Sequence, residues 1–151
     1  LVEIPSCGHF VQLTVSRNAP GLYRQKVDKL DYAWARHEDG SEITADSPAK
    51  AGELVTLLGT GFGPYDKTAI DGFAVPAGLP YNLADSLQVY SGDRLLELQW
   101  AGALAGKVGM AIARFRLPQD LSAPDGAPDG AIAVRVRING RDSNSVLLRV
   151  Q

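Results

Sequence analysis

Along this chain apolar residues alternate with polar ones instead of recurring every three or four positions, and glycine and proline interrupt them at short intervals. A period of two sends successive side chains to opposite faces of an extended strand, so the pattern predicts an all-β protein. Residues 10–15 (FVQLTV), 32–37 (YAWARH), 54–58 (LVTLL), 86–90, 95–100, 108–117, 131–138 (AIAVRVRI) and 146–150 (VLLRV) read as strands. Turn signals separate them: Asn18-Ala19-Pro20-Gly21, Glu38-Asp39-Gly40-Ser41, Ser91-Gly92-Asp93-Arg94 and Asn139-Gly140. The Asn-Gly pair is the strongest, because a tight hairpin of type I′ requires positive φ at both central residues. Ile132, Val134, Val136 and Ile138 share one face and Arg135 and Arg137 the other, which predicts a sheet with one side in a core and one in water.

Two segments depart from simple alternation. In residues 108–117 the apolar set changes parity between Ile112 and Phe115. A one-residue bulge near Ala113-Arg114 is the favoured explanation, and a strand covered on both faces the alternative. Residues 22–30 (LYRQKVDKL) carry the spacing for one or two helical turns, and residues 118–121 for a short 3-10 piece. About seven strands with turns between them make an antiparallel immunoglobulin-like β-sandwich the expected architecture.

The stretch AGELVTLLGTGFGP, residues 51–64, ends a well-formed strand on a Gly-x-Gly-Phe-Gly run. A phosphate cradle would need a helix after the glycines, and Pro64-Tyr65-Asp66-Lys67 leads into a Gly/Pro-rich passage with no amphipathic pattern. The run therefore reads as architecture. Phe62 is expected to plug the core, with positive φ at one or more of Gly59, Gly61 and Gly63.

Charge narrows the partners. With 15 Lys+Arg against 17 Asp+Glu among 151 residues, the chain has no basic field for a nucleic-acid backbone or an anionic membrane. It also lacks an apolar run of the roughly 20 residues that span a bilayer. Leu1 in place of an initiator Met reads as a mature or excised fragment. Cys7 is the only cysteine, so it is an idle thiol or pairs outside the fragment.

Candidate chemistry is sparse. Cys7, His9 and His37 are the only soft metal ligands, and solvated histidines are the simpler reading. Asp125 and Asp129 lie in a doubled Ala-Pro-Asp-Gly that reads as tandem turns, with an oxygen-rich calcium loop as the rival. Neither a Gly-x-Ser-x-Gly elbow nor a carboxylate pair points to hydrolysis, so no enzyme, cofactor or metal is expected. Trp34 and Trp100 sit in apolar strands and read first as core. Tyr65 and Tyr81 lie in the Gly/Pro-rich loop. With Trp100, which ends its strand, they are the candidate ligand-binding residues, because carbohydrate modules stack sugar rings on exposed aromatics.

The segment from Pro48 to Pro64, with its strand closed by Gly59-Thr60-Gly61-Phe62-Gly63-Pro64, resembles the opening of a TIG/IPT domain. More closely, the chain is similar to the immunoglobulin-like modules at the C-termini of large secreted proteins of certain soil bacteria. The supporting pieces come in order: Ala19-Pro20-Gly21-Leu22-Tyr23, Glu38-Asp39-Gly40-Ser41, Trp100-Ala101-Gly102 with Val108-Gly109-Met110, Arg116-Leu117-Pro118, and Ile138-Asn139-Gly140 with Ser143-Asn144. Trp100 in place of a Tyr and Ala105 in place of a Pro are departures. The resemblance implies a TIG/E-set type sandwich over residues 24–151, preceded in residues 1–23 by the last strand and junction of another module. It implies a non-catalytic spacer, adhesion or interaction module of a larger secreted or cell-surface bacterial protein. Its partners would be neighbouring modules of the same polypeptide and a protein or glycan at the cell surface. A carbohydrate-binding sandwich using exposed aromatics is the alternative. Residues 10–15 are further expected to pair into the sheet, since Val11, Leu13 and Val15 need cover, by adding to the domain's own edge as the preferred outcome or by exchange with a second copy as the alternative.

Overall fold

The computed structural model describes residues 12–151 in full and, of the preceding segment, the backbone of two strands. These are β1 (Val2–Ile4) and β2 (His9–Val11), paired antiparallel in a sheet of their own. The other strands are β3 (Gly21–Leu22), β4 (Arg24–Val27), β5 (Leu30–Ala33), β6 (Ala35–Arg36), β7 (Leu54–Thr60), β8 (Leu87–Ser91) and β9 (Arg94–Ala103). They continue with β10 (Ala111–Arg116), β11 (Ala131–Ile138), β12 (Arg141–Asp142) and β13 (Val146–Arg149). All eleven join one sheet with the path β3-β7-β10-β9-β8-β11-β13-β5-β4, β6 lying beside β7 and β12 beside β11. The all-β expectation holds. Among the described residues the one helical element is a 3-10 turn, Pro128–Gly130.

β9 belongs to both halves of the sheet: Arg94, Leu95 and Leu96 pair with β8, whereas Glu97 to Ala103 pair with β10. The sheet curls about this strand and is nearly barrel-shaped. Its inward residues meet in one cluster, with Val55, Leu57, Ala113 and Phe115 from one half and Val89, Val134, Val136, Ile138, Val146 and Leu148 from the other. Each such fully buried side chain stabilises the fold by roughly 1.5–3 kcal/mol relative to exposure. The alternation in β11 is realised as read, with Ile132, Val134, Val136 and Ile138 buried. On its outer face Arg135 and Arg137 stack over Tyr90, at 4.9 and 5.4 Å from the ring centre. Asn139 and Gly140 turn the chain with φ of 49° and 75°.

Several expectations are corrected. The sheet is mixed, not purely antiparallel: β13 runs parallel to β5 at Leu147 and Tyr32, and Ala49 forms a parallel bridge to Val150. The reason is connectivity. After β5 the chain crosses to β6 in the other half without reversing beside its neighbour, so the C-terminal strand fills that place in the same direction.

Residues 22–30 form no helix. β4 and β5 make a hairpin whose two turn residues, Asp28 and Lys29, both have positive φ (47° and 72°). The charged side chains suit an exposed edge hairpin as well as a helix, and periodicity over so short a window does not separate the two.

β10 itself has no bulge. It pairs with β7 in unbroken register, and the irregularity falls in β9, where Gln99 is skipped between Leu98, opposite Phe115, and Trp100, opposite Arg114. Ala111, Ala113, Phe115 and Leu117 point into the core, while Ile112 is buried on the opposite face beside Leu58. The strand is covered on both sides. Residues 118–121 form a turn closed by the Leu121 amide on the Pro118 carbonyl. Of the expected strand at 10–15, residues 12–15 carry no strand, and Val15 is 93% exposed.

Candidate functional site

The connection between β7 and β8, residues 61–86, is long for a compact domain, where loops beyond about 12–15 residues usually have a function. Its start is built from the glycine run. Gly61 and Gly63 have φ of 69° and 107°, and a β-carbon on Gly61 would meet the Ala19 carbonyl oxygen at 2.1 Å. The run therefore receives the incoming chain. Asn18, 3% exposed, donates from Nδ2 to the Phe62 carbonyl (2.9 Å) and to Asp85 Oδ2 (3.0 Å), and Asn139 Nδ2 donates to its Oδ1 (2.8 Å). Arg17 forks onto both Asp85 oxygens at 2.7 and 3.0 Å. Hydrogen bonds from Arg17, then Asn18, hold the Asp85 carboxyl below the usual carboxylate range.

Further along, the loop is tied to itself. Asp66 accepts from the Asn82 backbone N–H (3.1 Å) and from Asn82 Nδ2 (2.6 Å), and Lys67 Nζ donates to the Pro80 carbonyl (2.7 Å). Hydrogen bonds to its carboxyl, from Asn82 first and then from Lys67 Nζ at 3.2 Å, keep Asp66 below its ordinary range. Tyr65 packs edge-on to Tyr81 with ring centres 6.3 Å apart, and burial pushes its phenol above the ordinary value. Trp100 Nε1 donates to Asn82 Oδ1 at 2.6 Å. Asn82 thus ties Trp100 to Asp66, whereas Tyr65 and Tyr81 form a separate, partly exposed pair: Tyr65 bridges Leu83, and Asn82 bridges Gly102.

The Trp100 ring lies across Gly102, where a β-carbon would meet its Cζ2 at 2.4 Å and the Tyr81 carbonyl oxygen at 2.2 Å. The expectation that Trp100 is core is therefore only half met. It walls an open groove of about 450 Å³ lined also by Val75, Leu79, Pro80, Leu104, Ile112 and Arg114. Beside the groove the loop tip exposes Ile70 and Phe73, each 70% accessible, with Leu79 and Val108 more than half exposed. Trp34 is no core residue either: it is 44% exposed and packs edge-on against Tyr23 at 6.0 Å.

A second cavity, of about 520 Å³, contains an arrangement that local sequence motifs did not signal. His37 Nδ1 meets Glu53 Oε1 at 2.5 Å, and its Nε2 lies 3.1 Å from both the hydroxyl and the carbonyl oxygen of Ser47. Acid, imidazole and hydroxyl stand in the order used for acyl transfer. The surrounding amides are spent, however. Pro48 has no N–H, the Ser47 N–H goes to Thr44 Oγ1 (3.2 Å), and the Ala49 N–H goes to the Arg149 carbonyl (3.0 Å). Neither of these amides is free as an oxyanion donor, and the trio ties the ends of the 38–53 loop together.

At the expected oxygen-rich turns, the Tyr32 hydroxyl donates to Asp129 Oδ2 (2.7 Å), and Arg149 Nε lies 4.0 Å from the same oxygen. A fixed cation already stands near Asp129. No group of three His, Cys, Asp or Glu with metal-binding geometry occurs among the described residues. Cys7 and the His9 side chain lie outside them. No helix among the described residues is long and apolar enough to cross a membrane. A scan against protein-family models and searches of curated proteins and of solved structures give no match to this chain.

Proposed function

We propose that this chain is a non-catalytic interaction and spacer module of a larger secreted or cell-surface bacterial protein, built as an immunoglobulin-like sandwich of TIG/IPT type. The observation that carries the reading is the 61–86 loop, which is long, internally hydrogen-bonded, and tipped with exposed Ile70 and Phe73. Apolar side chains held out in water by an ordered scaffold mark a surface for recognition. The spacer aspect rests on Asn18 and Asp85, which clamp the entering chain to the domain body and so fix the direction of whatever precedes it. The non-catalytic aspect rests on the Ser47 and Ala49 amides, both already bonded and so not free as oxyanion donors. The switch of β9 between the two halves of the sheet supports the sandwich assignment.

The test is binding of the labelled domain to the surface of its source cells, read by flow cytometry. The folded domain is expected to bind, and Ile70→Ser with Phe73→Ser to abolish binding without lowering the melting temperature. Equal binding by the double variant, or none by the wild type, overturns the reading.

A second reading is carbohydrate binding, favoured by Trp100, whose ring is held by Asn82 and walls an open groove. An aromatic plane flanked by amide and carboxylate groups suits a sugar ring and its hydroxyls.

A further inference from the structure

The outer face of β6, β7, β10 and β9 carries a row of side chains in cross-strand register. Register sets Arg36 opposite Thr56, Thr56 opposite Arg114, and Arg114 opposite Trp100. Neighbouring strands lie about 4.8 Å apart, which puts the two arginines, two strands removed, roughly 10 Å from one another. Both are exposed. Arg17, Arg24, Arg94, Arg135 and Arg137 each hold a carboxylate within 4.0 Å, whereas Arg36 and Arg114 hold none among the described residues.

The next row supplies a floor. Leu58 and Ile112 are paired and buried, and Gly102, opposite Ile112, is the residue across which the Trp100 ring lies. The hydrogen bond to Asn82 fixes that ring's orientation. Of the other charges on this face, Glu97 stands opposite Arg116 and accepts from Gln99 Nε2 at 2.7 Å. Glu38 lines the hollow shared by Arg36, Thr56 and Arg114, and Glu42 is bridged to Arg36 through the backbone, yet neither forms an ion pair with them. The His37 ring is committed to Glu53 and Ser47, and Arg116 donates to the Gly52 carbonyl.

We propose that this face binds an acidic polysaccharide, one sugar ring stacking on Trp100 and carboxylates of the same chain meeting Arg114 and Arg36. The inference rests on the carbohydrate reading and adds its charge class and two residues. Two unpaired planar guanidiniums in line with a fixed aromatic plane match a ligand that alternates apolar ring faces with carboxylates. A neutral glycan would leave both arginines idle, and a purely apolar partner would desolvate them at a cost.

Calorimetric titration of the intact chain with galacturonate oligomers, and with a neutral glucan of equal length, tests this. The acidic oligomer is expected to bind and to weaken as salt rises from about 0.05 M to about 0.5 M. Arg114→Gln and Arg36→Gln are each expected to lower its affinity about tenfold, the usual scale for a lost charge-assisted hydrogen bond. Trp100→Phe, with an unchanged melting temperature, is expected to weaken either glycan. Equal binding of both glycans, insensitive to the arginine substitutions, overturns the acidic assignment and leaves the carbohydrate reading standing. No binding of either by the folded protein overturns both. Displacement of the oligomer by polyglutamate at equal charge concentration overturns the polysaccharide in favour of an acidic protein.

Discussion

The ring of Phe62 lies against Gly59 so closely that a β-carbon there would stand 2.6 Å from its Cζ and 2.7 Å from the Gly21 carbonyl oxygen. Phe62 is 2% exposed. The strand β7 thus carries, one residue before its end, a glycine that lets the aromatic three positions further on fold back over it. Phe62→Ala is expected to cost about 3–5 kcal/mol of stability, as large-to-small core changes do. Gly59→Ala should cost about 1–3 kcal/mol by overpacking. Denaturant melts measure both, and a loss below about 1 kcal/mol for Phe62→Ala would remove the plug from the account.

Acid should loosen the junction through Asp85. Its carboxyl is held low by Arg17 and Asn18, so the associated stability is present above the unfolded value near about 3.9 and is lost as pH falls through the lower folded value. Melting temperatures of the wild type and Asp85→Asn are expected to differ at neutral pH and to converge below about pH 4. A difference that stays constant down to strong acid would show that the charge on Asp85 contributes nothing.

Removal of metal should change nothing. Asp129 serves Tyr32 and faces Arg149. Melting with and without a strong chelator is expected to give the same midpoint, whereas a native-state cation would raise it by mass action. Tyr32→Phe should instead cost about 0.5–1.5 kcal/mol, the worth of one hydrogen bond. The bond to Asp129 is also what first holds the Tyr32 phenol above its ordinary pKa. Asp129→Ala should therefore lower the alkaline midpoint of that phenol in a spectrophotometric titration.

The boundary of the stable domain should fall between Val15 and Asn18. Val15 is 93% exposed and β1 and β2 pair with each other, whereas Asn18 is buried and triply hydrogen-bonded. Deleting residues 1–15 is expected to leave the denaturation midpoint within error. Deleting through Asn18 should lower it clearly, because the Phe62 carbonyl and Asp85 lose a buried donor. Equal stability of the two truncations would count against the clamp.

Alternation and turn chemistry by themselves determined the all-β class, the inward face of β11, the hairpin at Asn139-Gly140, and the burial of Phe62 beside glycines of positive φ. These are local matters, settled by a period of two and by which residues tolerate left-handed backbone. Where local patterns were ambiguous, tertiary structure decided. The 22–30 segment became a hairpin because β5 had a place beside β13. The parity change in β10 reflects cover on its outer face, where Ile112 is buried, which β10's own sequence does not distinguish from a bulge.

The candidate site divides in the same way. Tyr65, Tyr81 and Trp100 were legible as aromatics in a loop and at a strand end, but Asn82, which holds the Trp100 ring and ties it to Asp66, was not. Trp34, read from alternation as core, falls between β5 and β6 and is exposed, because the 32–37 run breaks there as the chain crosses from one half of the sheet to the other. The row Arg36, Thr56, Arg114 and Trp100 spans four strands drawn from distant parts of the chain. Only the register of those strands, set by packing of their inner faces, placed it on one surface.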